Sequence, residues 1–353
     1  MRQGRSLSEL ALEIERQKES KIDRKVDSRH MQFETDGQDE IRLKLPEIVP
    51  RLLSDVAHRQ VGTHVNIPAK YYDRCRHQAP DLLCDHINHW HNLTPAVRMV
   101  RELDGDVRAI LSDRYKRIDN VDVLAVMLPA LREVPNIEIV SCEVTPTKMY
   151  LKIVDPTVRG EPVVGDVCEA GCIISNSEIG LGSMSIEPFM RRLVCLNGMK
   201  IGDKRFRRTH VGGQVAIEEG RIAHMLSEET MQAGDHAMML QARDVLKASI
   251  NQVFFNETIN KCRVAAGEVI EGDVPGAIEV LEDKYTLAKQ EASDVLRHLI
   301  ETGDLSRWGI ANAVTMTAND VEDYDRATEL EAIGGKIVEM RQSEWCEISM
   351  VAA

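Results

Sequence analysis

The sequence predicts an α+β protein in which a mixed antiparallel-sheet core domain is followed by a helical C-terminal region. Short alternating apolar segments separated by turn signals lie between residues 97 and 187. Long amphipathic segments dominate after residue 213. The charge changes at the same point, since residues 211–353 hold 12 Lys and Arg against 26 Asp and Glu, whereas residues 1–210 hold 32 against 31.

The first forty residues are mostly polar. Only Leu7, Leu10 and Ile14 give residues 6–27 an apolar stripe, which is typical of an exposed helical arm or a partner contact. The division that we expect is therefore a polar helical arm and linker (1–40), an α+β core domain (41–212) and an acidic helical domain (213–353).

The core domain contains alternating strand and helix patterns. From residue 41 onward we expect a short strand stopped by Pro46, a helical stretch over 66–92, a hairpin around Asp104-Gly105, a helix over 121–134, a second hairpin turned at Thr145-Pro146-Thr147 and a third strand region over 171–187. In the acidic part, 3.6-residue periodicity predicts helices over 214–232, 236–258, 276–302 and 321–341.

Composition restricts the functional classes. Aromatic residues make up only 4% of the chain, which is few for a protein that stacks many bases on rings. No apolar run is long enough to cross a bilayer, and the N-terminus lacks the apolar region of a signal peptide, so we expect a cytoplasmic protein without membrane contact. In a reducing compartment the eight scattered cysteines are expected to be free thiols.

Standard cofactor and metal motifs are missing. The segment AIGGKIV (332–338) lacks the first glycine and the Ser/Thr of a phosphate-binding loop, and IGLGSMS (179–185) lacks the third glycine of a dinucleotide loop. The Cys and His residues between Cys75 and His91 match no zinc-finger spacing, and exposed polar histidines on a helix explain them better. We therefore expect no cofactor, no metal and no catalytic residue.

Two basic stretches carry the functional hypothesis. Between residues 189 and 210 seven Lys and Arg face a single acid, Asp203, and Asn197-Gly198 is a strong turn signal. Cations neutralise phosphates and a ring such as Phe206 can stack on a base, so this pattern suits nucleic acid. A solvated loop that pairs with the acidic domain is an equal alternative. The other basic stretch, between Arg98 and Arg117 and therefore the first along the chain, holds six Lys and Arg against four acids, and a solvated strand is the preferred interpretation there.

Four separated blocks resemble a known family. VRAILSDRYKRIDNVDVL (107–124), SNSEIGLGSMSIEPFMRRLVCLNGM (175–199), RRTHVGG (207–213) and RWGIANAVTMTAND (307–320) are similar, in this order, to the landmarks of the domain-of-unknown-function family 932. That family comprises phage- and plasmid-borne proteins, and the resemblance spans roughly residues 60–340. It implies a role on a mobile element and identifies no catalytic residue.

The resemblance and the basic stretches together define a candidate surface. A distant similarity to single-strand annealing proteins, which combine a mixed core, a basic groove and ring assembly, implies a nucleic-acid site. The resemblance contributes Arg114, Tyr115, Arg117, Arg191, Arg192, Arg207, Arg208 and His210. The basic stretches add Lys116, Lys200, Lys204, Arg205 and Phe206. We expect the two groups to form one exposed positive strip.

Three functions are compared. The first is an oligomeric accessory protein that binds single-stranded DNA during phage or plasmid replication or recombination. The alternative is a protein-interaction or anti-defence factor whose acidic helical half binds a host or phage protein and no nucleic acid. The third is an enzyme in which Ser177, Glu178, Asn197 and His210 share a pocket, although such side chains more often cap strands and turns.

Overall fold

A computed structural model describes residues 2–36, 40–202, 206–208 and 228–351. Within these ranges the chain forms twelve helices and twelve strands, and the strands precede the run of helices that ends the chain. The predicted α+β class, with a sheet-rich part followed by a helical part, is confirmed.

All strands are antiparallel to their neighbours and assemble into three sheets. Their bounds are β1 Ile22–Asp27, β2 Gln32–Thr35, β3 Ile41–Lys44, β4 Arg51–Leu52, β5 Val97–Leu103, β6 Asp106–Ser112, β7 Glu138–Val144, β8 Met149–Gly160, β9 Cys168–Asn176, β10 Met184–Arg192, β11 Asn197–Lys200 and β12 Phe206–Arg208.

Helices surround these sheets and make up the C-terminal part. Their bounds are α1 Leu7–Ser20, α2 Asp55–His64, α3 Ala69–Gln78, α4 Pro80–Leu93, α5 Asn120–Arg132, α6 Glu228–Ser249, α7 Gln252–Gly267, α8 Val274–Tyr285, α9 Lys289–Thr302, α10 Arg307–Asp320, α11 Tyr324–Glu339 and α12 Gln342–Ser349. None of the helices in the described ranges is long and apolar enough to span a bilayer.

The largest sheet has the strand order β11-β10-β9-β8-β7, with β12 paired to the first residues of β10. Strand β9 is buried along its whole length. One face of the sheet packs against α1, α5 and α6, and the other is covered by α7, α10 and α11. The smaller sheets, β1-β5-β6 and β2-β3-β4, share a separate core with α2, α3 and α4.

The N-terminal segment differs from the predicted arm and linker. The helix ends at Ser20, and Leu10 and Ile14 are buried in the core of the largest sheet. The rest of the predicted helix is β1, and β2 lies within the predicted linker. The prediction of an exposed arm is wrong, because the narrow apolar stripe of this helix packs into the core of the largest sheet.

Further boundaries differ from the sequence prediction. The predicted helix 276–302 is two helices, α8 and α9, because Thr286 adopts a left-handed conformation with φ of 52° and ends the first. The predicted turn at Asn197-Gly198 is the start of β11, and the chain turns at 193–196 instead. Gly198 is required there because a Cβ atom would lie 2.1 Å from Cζ of Phe189.

The hairpins at Asp104-Gly105 and Thr145–Thr147 and the helix near 121–134 are confirmed. The predicted helix 214–232 falls largely outside the described residues. All eight cysteines are unpaired thiols, as expected.

Candidate nucleic-acid interface

The two arginines at the end of β10 are engaged inside the protein. Arg191 donates from Nε to Oε2 of Glu169 at 2.9 Å, and Arg192 donates from Nε to Oδ1 of Asp166 at 2.6 Å. Asp166 also accepts a hydrogen bond from the indole of Trp308 at 2.9 Å. Arg192 therefore connects the end of β10, through Asp166, to the helical part, whereas Arg191 pairs with Glu169 on β9, and both charges are compensated within the chain.

Lys200 on β11 is similarly placed. Its Nζ lies 2.8 Å from a carboxylate oxygen of Glu187, and both side chains are largely buried. Taken with the two arginines of β10, it shows that the described part of the second basic stretch contributes little uncompensated charge. The expected continuous strip does not run through Arg191, Arg192 and Lys200.

The first basic stretch is also partly internal. The side chain of Arg101 is 0% exposed and binds both Asp23 and Asp119, at 2.8 and 2.7 Å. Arg108 forms an ion pair with Glu178. The exposed cations of this stretch are Arg114 and Arg117, in the loop after β6.

That loop presents cations on a fixed backbone. Arg114 is exposed and forms no ion pair with the described residues. Arg117 is 57% exposed, although its Nη1 lies 3.2 Å from Asp23. Lys116 is half-buried, and the ring of Tyr115 is buried with its hydroxyl donating to the carbonyl of Ser177 at 3.2 Å. Tyr115 therefore anchors the loop and is not positioned to stack on a base.

Residues 177–183 form the turn between β9 and β10, which contains the Ser177 carbonyl that Tyr115 contacts. This Ser177–Ser183 turn is held by buried charges. Glu178 accepts hydrogen bonds from Nζ of Lys21 at 2.5 Å and from the backbone N–H of Asn120 at 2.7 Å, in addition to its pair with Arg108. Burial alone would raise the pKa of Glu178, but the cations of Arg108 and Lys21 and the Asn120 N–H lower it to about 2. Glu178 is consequently a carboxylate at neutral pH that fixes the turn.

The second basic stretch reaches the other end of the same turn. In the register of β12 with β10, Arg208 is opposite Met184 and Arg207 is opposite Ser185. Both positions lie next to the end of the Ser177–Ser183 turn. The side chains at 206–208 are not described, and Lys204, Arg205 and His210 lie outside the described residues.

Lys148 is a further cation beside this turn. A Cβ atom added at Gly182 would lie 3.4 Å from Cε of Lys148, so the two residues are neighbours. Lys148 is half-buried and forms no ion pair within the described ranges. The sequence analysis did not name Lys148. Its position directly after the Thr145–Thr147 turn and next to the start of β8 indicates that it lies at an end of the sheet.

A polar cavity of about 270 Å³ opens between the turn and α11. Its floor is a row of hydroxyls across three strands, Tyr150, Ser175 and Ser185, in which the two serines are 2.9 Å apart. Lys148 and Lys200 lie at its wall, and Asp325 on α11 accepts hydrogen bonds from Thr145 and Thr147. This volume is near the lower end of the range for small-molecule sites.

Of the described residues named for an enzymatic site, Asn197 lies apart from Ser177 and Glu178. Glu178 forms ion pairs with Lys21 and Arg108. Asn197 donates a hydrogen bond to Oγ1 of Thr315 at 2.5 Å in the helical core. His210 is outside the described residues.

Comparison with family models, with curated proteins and with solved structures finds no match. The resemblance to the domain-of-unknown-function family 932 therefore stays a prediction from the residues quoted above.

Proposed function

We propose that the chain binds single-stranded DNA across the Ser177–Ser183 turn, as an accessory protein of phage or plasmid replication or recombination. The proposal depends on one observation: the two basic stretches, far apart in sequence, lie next to the two ends of this turn. Tyr115 contacts Ser177 at one end, and the backbone of Arg208 pairs with Met184 at the other.

The chemistry around the turn is consistent with a flexible polyanion. Arg114 and Arg117 offer exposed guanidinium groups, and Lys148 adds an ammonium group on the side of the polar cavity. Such cations attract phosphates without reading sequence. The polar cavity of about 270 Å³ beside the turn has space for part of one nucleotide.

The first prediction concerns the loop after β6. Replacing Arg114 and Arg117 together with Ala is expected to weaken binding to a labelled single-stranded oligonucleotide. The slope of log affinity against log salt should fall by about 1.4, because each phosphate contact on a single strand contributes about 0.7. Fluorescence anisotropy between 50 and 200 mM salt, the range over which such contacts are strongly screened, measures both effects.

The matched control removes two charges from the helical part. Lys289 and Arg297 lie on α9 and are exposed. Their double Ala variant should bind as the unchanged protein does. The proposal would be refuted if the unchanged protein did not alter the anisotropy of the oligonucleotide at low salt. It would also be refuted if the control variant lost as much affinity as the Arg114/Arg117 variant.

A second candidate function, protein interaction, is favoured by an apolar surface at the opposite end of the sheet. The turns 161–167 and 193–196 lie side by side, because the N–H of Leu193 donates to the carbonyl of Val167 at 2.9 Å. Val164 is 96% exposed, and Val194 and Leu196 are about 60% exposed. Clusters of exposed apolar side chains are typical of association surfaces. This surface belongs to the sheet and not to the acidic helical half.

The second prediction is that this surface joins two copies of the chain. Light scattering after size exclusion should give a molar mass that rises with concentration, and the variant Val164→Asp with Val194→Asp should remain a monomer because a buried carboxylate without a partner is costly. A monomer at every concentration of the unchanged protein would exclude self-association through these turns.

A further inference from the structure

A second cavity, of about 410 Å³, lies between the first turn of α2, the last turn of α3 and β6. One wall is apolar and includes Ile41, Leu52 and Leu53. The opposite wall carries His58, Arg76, His77 and Arg108. An apolar wall facing a few convergent polar groups is the usual composition of a small-molecule site.

Two arginines from different elements, Arg76 and Arg108, line this wall. Arg76 on α3 is 28% exposed and forms a surface ion pair with Asp55 at 2.8 Å. Arg108 on β6 is almost buried, with one Nη bound to Glu178, and its buried Nε has no hydrogen-bond acceptor among the described residues. A buried guanidinium N–H without an acceptor costs free energy. Because that Nε is shielded from solvent, Arg76 is the guanidinium at this wall that a ligand oxygen can reach.

His58 adds an oriented imidazole. It is 4% exposed, and its Nδ1 lies 2.9 Å from the hydroxyl of Tyr72. Burial, reinforced by the nearby cation of Arg76, lowers the pKa of His58 to about 4, so the ring is neutral at pH 7. With Nδ1 engaged by Tyr72, Nε2 is the nitrogen left to bond a ligand in the cavity.

The helix α2 contributes its positive end. It begins at Asp55 after Ser54, whose Oγ caps the N–H of Ala57 at 3.1 Å, and both Ser54 and His58 line the cavity. Backbone N–H groups at a helix start favour an anion. The two carboxylates that line the cavity, Glu40 and Asp106, are exposed to solvent, which screens their repulsion of such an anion.

From this arrangement we infer that the cavity binds a small phosphate monoester, with the phosphate against Arg76 and the start of α2 and the organic part against the apolar wall. Guanidinium groups bind phosphate oxygens through paired N–H donors. The cavity is larger than a phosphate group needs, so the ligand carries an organic group of nucleoside size or smaller. Arg76 and the start of α2 are not part of the proposed DNA surface.

The test uses the full chain and three probes: inorganic phosphate, adenosine 5′-monophosphate and adenosine. NMR signals of the His58 and His77 rings should shift on titration with the two phosphates and not with adenosine. Arg76→Gln should weaken adenosine monophosphate binding about tenfold or more, since one charge-assisted hydrogen bond is lost. Arg74→Gln, on the same helix but outside the cavity, is the matched control and should bind normally.

Three outcomes overturn the inference: no shift with either phosphate at millimolar concentration, equal binding of adenosine and its monophosphate, or equal weakening in the Arg74 and Arg76 variants. Thermal melting of both variants establishes that they are folded. The Arg76 variant should retain full affinity for single-stranded DNA, and the Arg114/Arg117 variant should retain phosphate binding. Failure of one site is therefore distinguishable from failure of the other.

Discussion

Replacing Lys152 with Met is expected to destabilise the folded protein by about 3–5 kcal/mol, because it leaves a buried carboxylate without its partner. Lys152 on β8 donates to both oxygens of Glu331 on α11, at 2.8 and 2.6 Å, and both side chains are 0% exposed. The ammonium also lies 4.7 Å from the ring centre of Tyr324. Burial lowers the pKa of Lys152, and Glu331 acts against that shift.

The double variant Lys152→Met with Glu331→Leu should recover most of this loss, since apolar side chains of similar volume replace buried ion pairs at little cost. Urea denaturation at pH 7 gives the free energy of unfolding for each variant. Lys18→Met, which breaks an exposed pair with Glu15, is the control and should cost no more than about 1 kcal/mol. A double variant as unstable as the single one would show that the ion pair is not the cause.

The sequence could not indicate this pair. Lys152 occupies a polar position in the alternating segment KMYLKIV, and this alternation predicts a strand with one solvent-exposed face. In the structure both faces of β8 are covered there, because α11 packs over the side that alternation assigns to solvent. The partner is 179 residues away, and no local pattern connects the two.

Turns that depend on local backbone preferences were more predictable than the tertiary contacts around them. The Asp104-Gly105 hairpin follows from two positive φ angles at the turn, 53° and 91°, which residues of these types adopt readily. In contrast, Asn197-Gly198 has the same turn chemistry but lies in β11, where the ring of Phe189 packs across Gly198. Tertiary packing decides which of two similar signals becomes a turn.

The basic stretches illustrate the same limit for function. Their composition predicts an exposed positive surface, yet the carboxylates of Glu169, Asp166 and Glu187 compensate Arg191, Arg192 and Lys200. Charge counted along the sequence does not show which charges meet in space. Arg114 was named from the sequence, but Lys148 could be identified as a cation beside the turn only after the strands were paired.

Replacing Glu178 with Gln is expected to cost about 3–5 kcal/mol as well, since Lys21 and Arg108, at most 12% exposed, then lose their shared carboxylate. The variant should also respond differently to acid. The pKa of Glu178 is about 2 in the folded protein and about 4.5 without the fold, so protonation opposes folding. The stabilisation is complete above pH 4.5 and is lost as the pH falls towards 2. A shift of this size corresponds to about 3 kcal/mol.

Urea denaturation at pH 7, 4.5 and 3 separates this contribution from that of other carboxylates. The unchanged protein should lose more stability between pH 4.5 and 3 than the Gln variant, because the variant has no proton to bind at position 178. Glu15→Gln, at an exposed pair, should follow the unchanged protein at every pH. Parallel curves for the unchanged protein and the Glu178 variant would mean that the carboxylate does not hold the Ser177–Ser183 turn. The proposed DNA surface would then lack the rigid centre around which its cations are arranged.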